Sequence, residues 1–256
     1  MTRKYRLKND SIDLRDIYYR STQYKSVTDL PEEVDLRNKL SPIVDQGELG
    51  SCTANAIASG LGEFKLLQEG KPLTRLSRLF LYWQERYLEG TVNEDSGAYI
   101  RDGMKVLQTI GTCPESEYPY DIKNFTQTPT AKQVADAGAF RMISEYHRVY
   151  DLLSLKSALT EGFPVVIGIL VYESFESEKV AQTGIVPLPI KSREQYLGGH
   201  AVLAVGYNKI GRTNYIIIRN SWGEEWGDKG YCYIPESFFL EDLSLTCGLA
   251  NKYFDE

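Results

Sequence analysis

Gln46-Gly-Glu-Leu-Gly-Ser-Cys52, followed at once by Thr53-Ala-Asn-Ala-Ile-Ala-Ser-Gly-Leu61, runs a turn-rich loop into an amphipathic repeat. Ser51 is suited to cap a helix, and Ala54, Ile57, Ala58 and Leu61 recur at three- and four-residue intervals. The pattern predicts a helix beginning at Ser51 or Cys52. A cysteine there meets the positive end of the helix dipole, which favours the thiolate, the form of the thiol that attacks a carbonyl. An inert buried cysteine would give the same local pattern, so its partners must decide.

The chain has only two histidines. His147 lies in the polar run Ser144-Glu-Tyr-His-Arg148, which reads as solvated surface. His200 follows Gly198-Gly199 and opens the apolar run Ala201-Val-Leu-Ala-Val205, at the mouth of a predicted buried strand. An imidazole near Cys52 would take its proton and form a thiolate–imidazolium pair. Two histidines and scattered cysteines do not make a zinc site of usual spacing.

A third element is Asn220-Ser-Trp-Gly-Glu-Glu-Trp-Gly-Asp-Lys-Gly-Tyr231, whose paired Trp-Gly steps core packing alone does not explain. An asparagine oxygen can accept a hydrogen bond from an imidazole and fix its orientation, and an adjacent indole can shield that bond from water.

Around these elements the first half of the chain reads as helical, with further helices over Ser77–Leu88 and Tyr99–Thr109. The second half reads as strands, Val165–Val171, Ala201–Val205 and Tyr215–Ile218, with a hairpin turn over Lys209–Asn214. Helices first and strands later predict an α+β fold. Of 256 residues 42% are hydrophobic and the formal net charge is −6, which argues against a nucleic-acid surface or an anionic membrane partner. The longest apolar stretch, Val165–Tyr172, is too short to span a bilayer. The first residues lack the apolar stretch of a secretory signal, and an intracellular location is expected, with an unconventional export route left open.

Together these motifs resemble the papain family of cysteine peptidases. Gln46-Gly six residues before the nucleophile, Glu117-Tyr-Pro-Tyr120, Gly199-His-Ala201, the Asn220-Ser-Trp-Gly box and Cys247-Gly-Leu249 fall in the family's order. Leu30-Pro-Glu-Glu-Val-Asp-Leu-Arg37 looks like its mature start, so the likeness covers roughly residues 30–254. It implies a two-lobed fold, a helical lobe near residues 30–140 and a β-barrel-like lobe near 141–256, with the cleft between. It implies Cys52 as nucleophile, His200 as acid and base, Asn220 as orienting group, and Gln46 with the Cys52 backbone N–H as oxyanion donors. Gly97, Ala98, Tyr99, Gly168, Ala201 and Trp222 would then contact a peptide or protein substrate bound in extended form. No cofactor is implied.

Several positions depart from the family. Thr53 replaces the aromatic residue that commonly follows the nucleophile, Leu49 replaces a cysteine, and Glu194 stands near the expected partner of Cys247. The usual disulfides are therefore expected to be absent, with a Cys232–Cys247 bridge left open. Residues 1–29 are a short polar lead in place of a long helical propeptide. Its apolar members Ile12, Leu14, Ile17, Tyr18 and Tyr19 are expected to enter the substrate groove and restrain the site. Two alternatives remain open from the residues: acyl transfer to an amine, and a non-catalytic peptide-binding descendant.

Overall fold

The computed structural model describes residues 3–240 and 244–250, with Val27 and residues 244–250 described by backbone alone. The predicted first helix is one continuous helical run, α1, built of Cys52–Ala54, a wider-wound Asn55–Gly62 and Glu63–Gln68. Every residue of α1 from Cys52 to Leu66 is buried, so burial more than local propensity sustains it. The expected capping by Ser51 does not occur. Its hydroxyl makes no cap hydrogen bond and pairs instead with the Tyr120 hydroxyl at 2.5 Å.

Helix α2, Arg78–Leu88, is capped by Ser77, whose Oγ accepts the Phe80 N–H at 3.1 Å. Helix α3 spans Ile100–Thr109 and α4 spans Ala131–Ala137. Two further helices, α5 at Leu152–Thr160 and α6 at Glu178–Thr183, lie among the strands.

The strands are β1 (Val34–Asp35), β2 (His147–Arg148), β3 (Val165–Tyr172), β4 (Tyr196–Ile210), β5 (Thr213–Arg219), β6 (Tyr231–Pro235) and β7 (Ser244–Ala250). They form one antiparallel sheet in the order β2-β7-β3-β4-β5-β6, with β1 added on β4. The barrel-like lobe is thus realised as an open sheet, because no pairing among the described residues joins β6 back to β2. The α+β class holds: helices α1 to α4 precede residue 140, and every strand except β1 follows it. Helix α1 packs against β4, which brings Cys52 beside the strand that carries His200.

Strand β4 is far longer than the predicted Ala201–Val205, since Gly198 and Gly199 extend it on the substrate side through pairing with Val171 and Leu170. Cys52, Cys113 and Cys232 are free thiols, while the Cys247 side chain lies outside the described residues, and with it the suggested Cys232–Cys247 bridge. Among the described residues no helix is long and apolar enough to cross a membrane.

Candidate active site

Two secondary structures meet to build the site. Cys52 opens α1, and its thiol lies by the backbone of Ala201, the residue after His200 on β4. His200 is fully buried, and its Nε2 donates to the Asn220 side-chain oxygen across 2.8 Å. That donation leaves the Nδ1 lone pair on the other edge of the ring, and Nδ1 is buried without a hydrogen-bond partner. Asn220 is held in turn, because its oxygen also accepts the Ser221 N–H at 2.9 Å. The Trp222 indole stacks on the imidazole with centroids 5.1 Å apart, closing the His200–Asn220 bond off from water. Trp226 and Phe175 brace that indole edge-on, which accounts for the second Trp-Gly step.

Gln46 stands between the two halves. Its backbone N–H donates to the Ser221 carbonyl at 2.9 Å and its Oε1 accepts the Ser221 hydroxyl at 2.6 Å. Its Nε2 donates to the Leu49 carbonyl at 3.0 Å, which orients the amide toward the start of α1. Tyr120 adds a clasp, donating its hydroxyl to the Gln46 carbonyl at 2.9 Å while meeting Ser51. The role of Tyr120 was not read from the sequence, although it lies in the quoted Glu117–Tyr120 motif.

Beneath the nucleophile, Thr53 donates to Glu85 of α2 at 2.7 Å. Glu85 is fully buried and its second oxygen has no partner, so burial raises its pKa well above the usual carboxylate range. This pair occupies the place where an aromatic residue was expected.

The lead segment supplies the largest correction. Ile12 and Leu14 are 90% and 100% exposed, and Ile17 and Tyr18 are exposed as well. Only Tyr19 of that cluster is buried, with its hydroxyl on Glu161 at 2.6 Å, away from the groove. The groove is filled instead by residues 3–8. Leu7 donates its N–H to the Gly199 carbonyl at 3.0 Å, and Lys8 donates to the Ala98 carbonyl at 3.1 Å. Arg6 bridges in parallel to Gly199 and Lys8 to Tyr99. The Tyr5 ring stands edge-on to His200, centroids 5.9 Å apart, and the Arg3 guanidinium lies 4.1 Å above the Trp222 ring.

Of the six expected substrate contacts, Gly97, Ala98, Tyr99 and Trp222 line this segment, whereas Gly168 and Ala201 face each other in register on β3 and β4. Gly97 and Gly198 have positive φ, and a methyl at either would drive into the carbonyl oxygen of Arg6 or Tyr5. The groove floor is therefore bare backbone, as an extended peptide requires.

Burial sets the electrostatics. Burial pushes the Cys52 thiol up to about 12 and pulls the His200 imidazole down to about 4, with the nearby Arg3 charge adding to the latter. With residues 3–8 seated, burial opposes the activation expected from the helix position. His147 is also corrected. It is buried rather than solvated, with its Nε2 2.8 Å from Glu145, because β2 pairs with β7 and with Tyr18 of the lead. It has no part in the site. Among the described residues no group of three or more His, Cys, Asp or Glu side chains is gathered as a metal would require.

Comparison with known proteins bears on this geometry. The sequence pattern described as "Papain family cysteine protease" matches residues 30–254. An uncharacterized peptidase C1-like protein of Acanthamoeba polyphaga mimivirus is 41% identical over 225 residues, 84% of this chain and 71% of that protein. Cathepsin K of Gallus gallus is 34% identical over 230 residues, and the chain spans only 62% of its length. Among solved structures, xylellain, a cysteine protease from Xylella fastidiosa, superposes with a TM-score of 0.87 at 38% identity, covering 100% of this chain and 99% of that one. Procathepsin L 3 of the Tenebrio molitor larval midgut shares the fold, with a TM-score of 0.71 at 22% identity.

Proposed function

This chain belongs to the papain family of cysteine proteases, and from that premise we propose that Cys52, His200, Asn220 and Gln46 carry its hydrolysis of peptide bonds. The observation that carries the reading is the buried, unpartnered Nδ1 of His200, left with its lone pair by the 2.8 Å bond from Nε2 to Asn220. A base in that tautomer beside Cys52 has one proton to take, that of the thiol.

With the groove open to a peptide, His200 removes the Cys52 proton and the thiolate adds to the scissile carbonyl. Negative charge on the carbonyl oxygen would be met by the Gln46 amide and the Cys52 backbone N–H. Donors of this kind are each worth roughly 3 kcal/mol of barrier. His200 then protonates the leaving amine, the C–N bond breaks, and an acyl-enzyme remains. A water molecule, deprotonated by His200, releases the acid and restores the thiol.

Residues 3–8 hold the site closed in this reading. They lie along the groove backbone, they set Tyr5 and Arg3 against His200 and Trp222, and being tethered they act at a high effective concentration. The decisive experiment inserts a specific protease site after Leu14, in the exposed Ser11–Arg15 loop, and assays an unstructured protein substrate before and after the cut. Turnover should appear or rise after cutting and vanish in Cys52→Ala. Turnover that survives Cys52→Ala would refute the assignment.

A further inference from the structure

The chain carries a net charge of −6, yet residues 3–8 read Arg-Lys-Tyr-Arg-Leu-Lys, four cations in six positions. Two of them enter ion pairs with carboxylates of the groove wall. Lys4 Nζ lies 2.7 Å from Asp95, whose side chain is 9% exposed, and Lys8 pairs with Glu89, whose side chain is 6% exposed. Neither carboxylate owes its position to the segment. Asp95 accepts the Gly50 N–H at 2.9 Å and the Tyr82 hydroxyl at 2.7 Å, while Glu89 accepts the Tyr99 N–H at 3.1 Å. The protein body thus aims two nearly buried acids at an extended peptide, one on each side of the Gly97–Tyr99 stretch to which that peptide bonds.

When the segment leaves, both carboxylates lose their counter-ions while Gly50, Tyr82 and Tyr99 still hold them at the groove wall, which leaves two fixed negative charges for another cation to meet. A substrate lying in the same groove would be the source. We propose that Asp95 and Glu89 form two cation subsites, so that this protease selects peptides carrying two lysine or arginine residues separated by three others. The spacing is that of Lys4 and Lys8 and reads the same in either chain direction. The inference rests on the reading of this groove as the substrate cleft, and it adds the class of substrate. The Lys8 ammonium also sits 5.5 Å from the Tyr99 ring, a second attraction at the Glu89 subsite.

The test uses the full chain after the cut in the Ser11–Arg15 loop, freed of the severed peptide by gel filtration at high salt. Four fluorogenic peptides carry Lys or Ala at the two positions. A charge-assisted contact of this burial predicts roughly tenfold in kcat/KM per lysine, so the double-lysine peptide should exceed the double-alanine peptide about a hundredfold. Asp95→Asn and Glu89→Gln keep the acceptors for Gly50, Tyr82 and Tyr99 and remove the charge. Each should erase about tenfold of the ratio at one position only, which a loss of fold would not do. Equal kcat/KM on all four peptides, with cleavage still dependent on Cys52, would overturn the cation subsites and leave the protease assignment standing. Absence of cleavage of every peptide and of an unstructured protein would overturn the assignment of Cys52 and His200 on which the subsites rest.

Discussion

Thr53, the residue after the nucleophile, donates its hydroxyl to the Glu85 carboxyl across 2.7 Å in the interior of the protein. Glu85 is fully buried, and its raised pKa means that the folded chain keeps the acid protonated after the unfolded chain has released its proton. The unfolded state then binds fewer protons, so stability falls as pH rises above the ordinary glutamate range, until the folded pKa is reached. The slope contributed is up to about 1.4 kcal/mol per pH unit. Guanidinium unfolding from pH 4 to 7 should show this decline in the wild type and a flatter dependence in Glu85→Gln. Parallel curves would mean that Glu85 is ionised in the folded chain.

Seating of residues 3–8 and protonation of His200 oppose each other. Burial depresses the imidazole of the closed arrangement to about 4, and the Arg3 charge of the segment adds to that depression. The closed arrangement is therefore favoured above pH 6.5 and weakens as pH falls toward 4, to the extent that the segment, through Arg3 and Tyr5, contributes to the depression. Iodoacetamide labelling of Cys52, followed by peptide mapping, should be slow in the intact chain at pH 7.5. The gap between intact and cut chains should narrow toward pH 5. A gap that widens on acidification would contradict this linkage.

Gln46 and Asn220 should fail in different ways. Gln46→Glu keeps the shape but puts a charge where the oxyanion forms, and kcat should drop by about 10²–10³ with little change in KM. Asn220→Ala removes the acceptor of the Nε2 proton and should lower kcat at least tenfold while distorting its pH profile. Asn220→Asp, which restores an acceptor, should recover part of that loss. Steady-state kinetics across pH on the cut chain checks both, and a normal pH profile in Asn220→Ala would exclude the orienting role.

Arg3 and Tyr5 hold the segment through aromatic contacts with Trp222 and His200. The cation–π contact is worth about 0.5–2 kcal/mol and the half-buried Tyr5 ring a comparable amount. Arg3→Ala with Tyr5→Ala should raise kcat/KM of the intact chain by roughly 10–100-fold and leave the cut chain, which has lost both residues, unaltered. An unchanged intact chain would show that the backbone contacts of Leu7 and Lys8 suffice.

The parts of the site that depend on local chemistry were legible in the sequence. Cys52 at a helix start, His200 before an apolar strand run and Asn220 beside a tryptophan each announce themselves, and α2, α3, β3 and β5 follow from their periodicity, although β4 begins four residues ahead of His200. What was not legible depends on partners distant in the chain. His147 looks solvated among polar neighbours, yet pairing of β2 with β7 buries it. Ser51 has the composition of a cap, but Tyr120 takes its hydroxyl. Arg3 to Lys8 look like a solvated tail because nothing nearby in sequence announces Asp95 and Glu89 as their counter-charges. The apolar Ile12–Tyr19 cluster drew the expectation of groove binding by hydrophobicity alone, whereas backbone pairing and charge hold the segment that is there.

The arrangement of the lead has a consequence for how such a chain is switched on. Residues 16–21 are pinned to the body by Asp16 between Arg101 and Arg148, and by Tyr19 and Ser21 on Glu161. Residues 3–8 are pinned in the groove, and between the two anchors Ile12 and Leu14 project into solvent. That loop is a fuse: it is the exposed stretch between two anchors, and a single nick there leaves the second anchor in place. The plug then becomes a short soluble peptide whose hold depends on dilution, so activation is irreversible once its fragments drift apart.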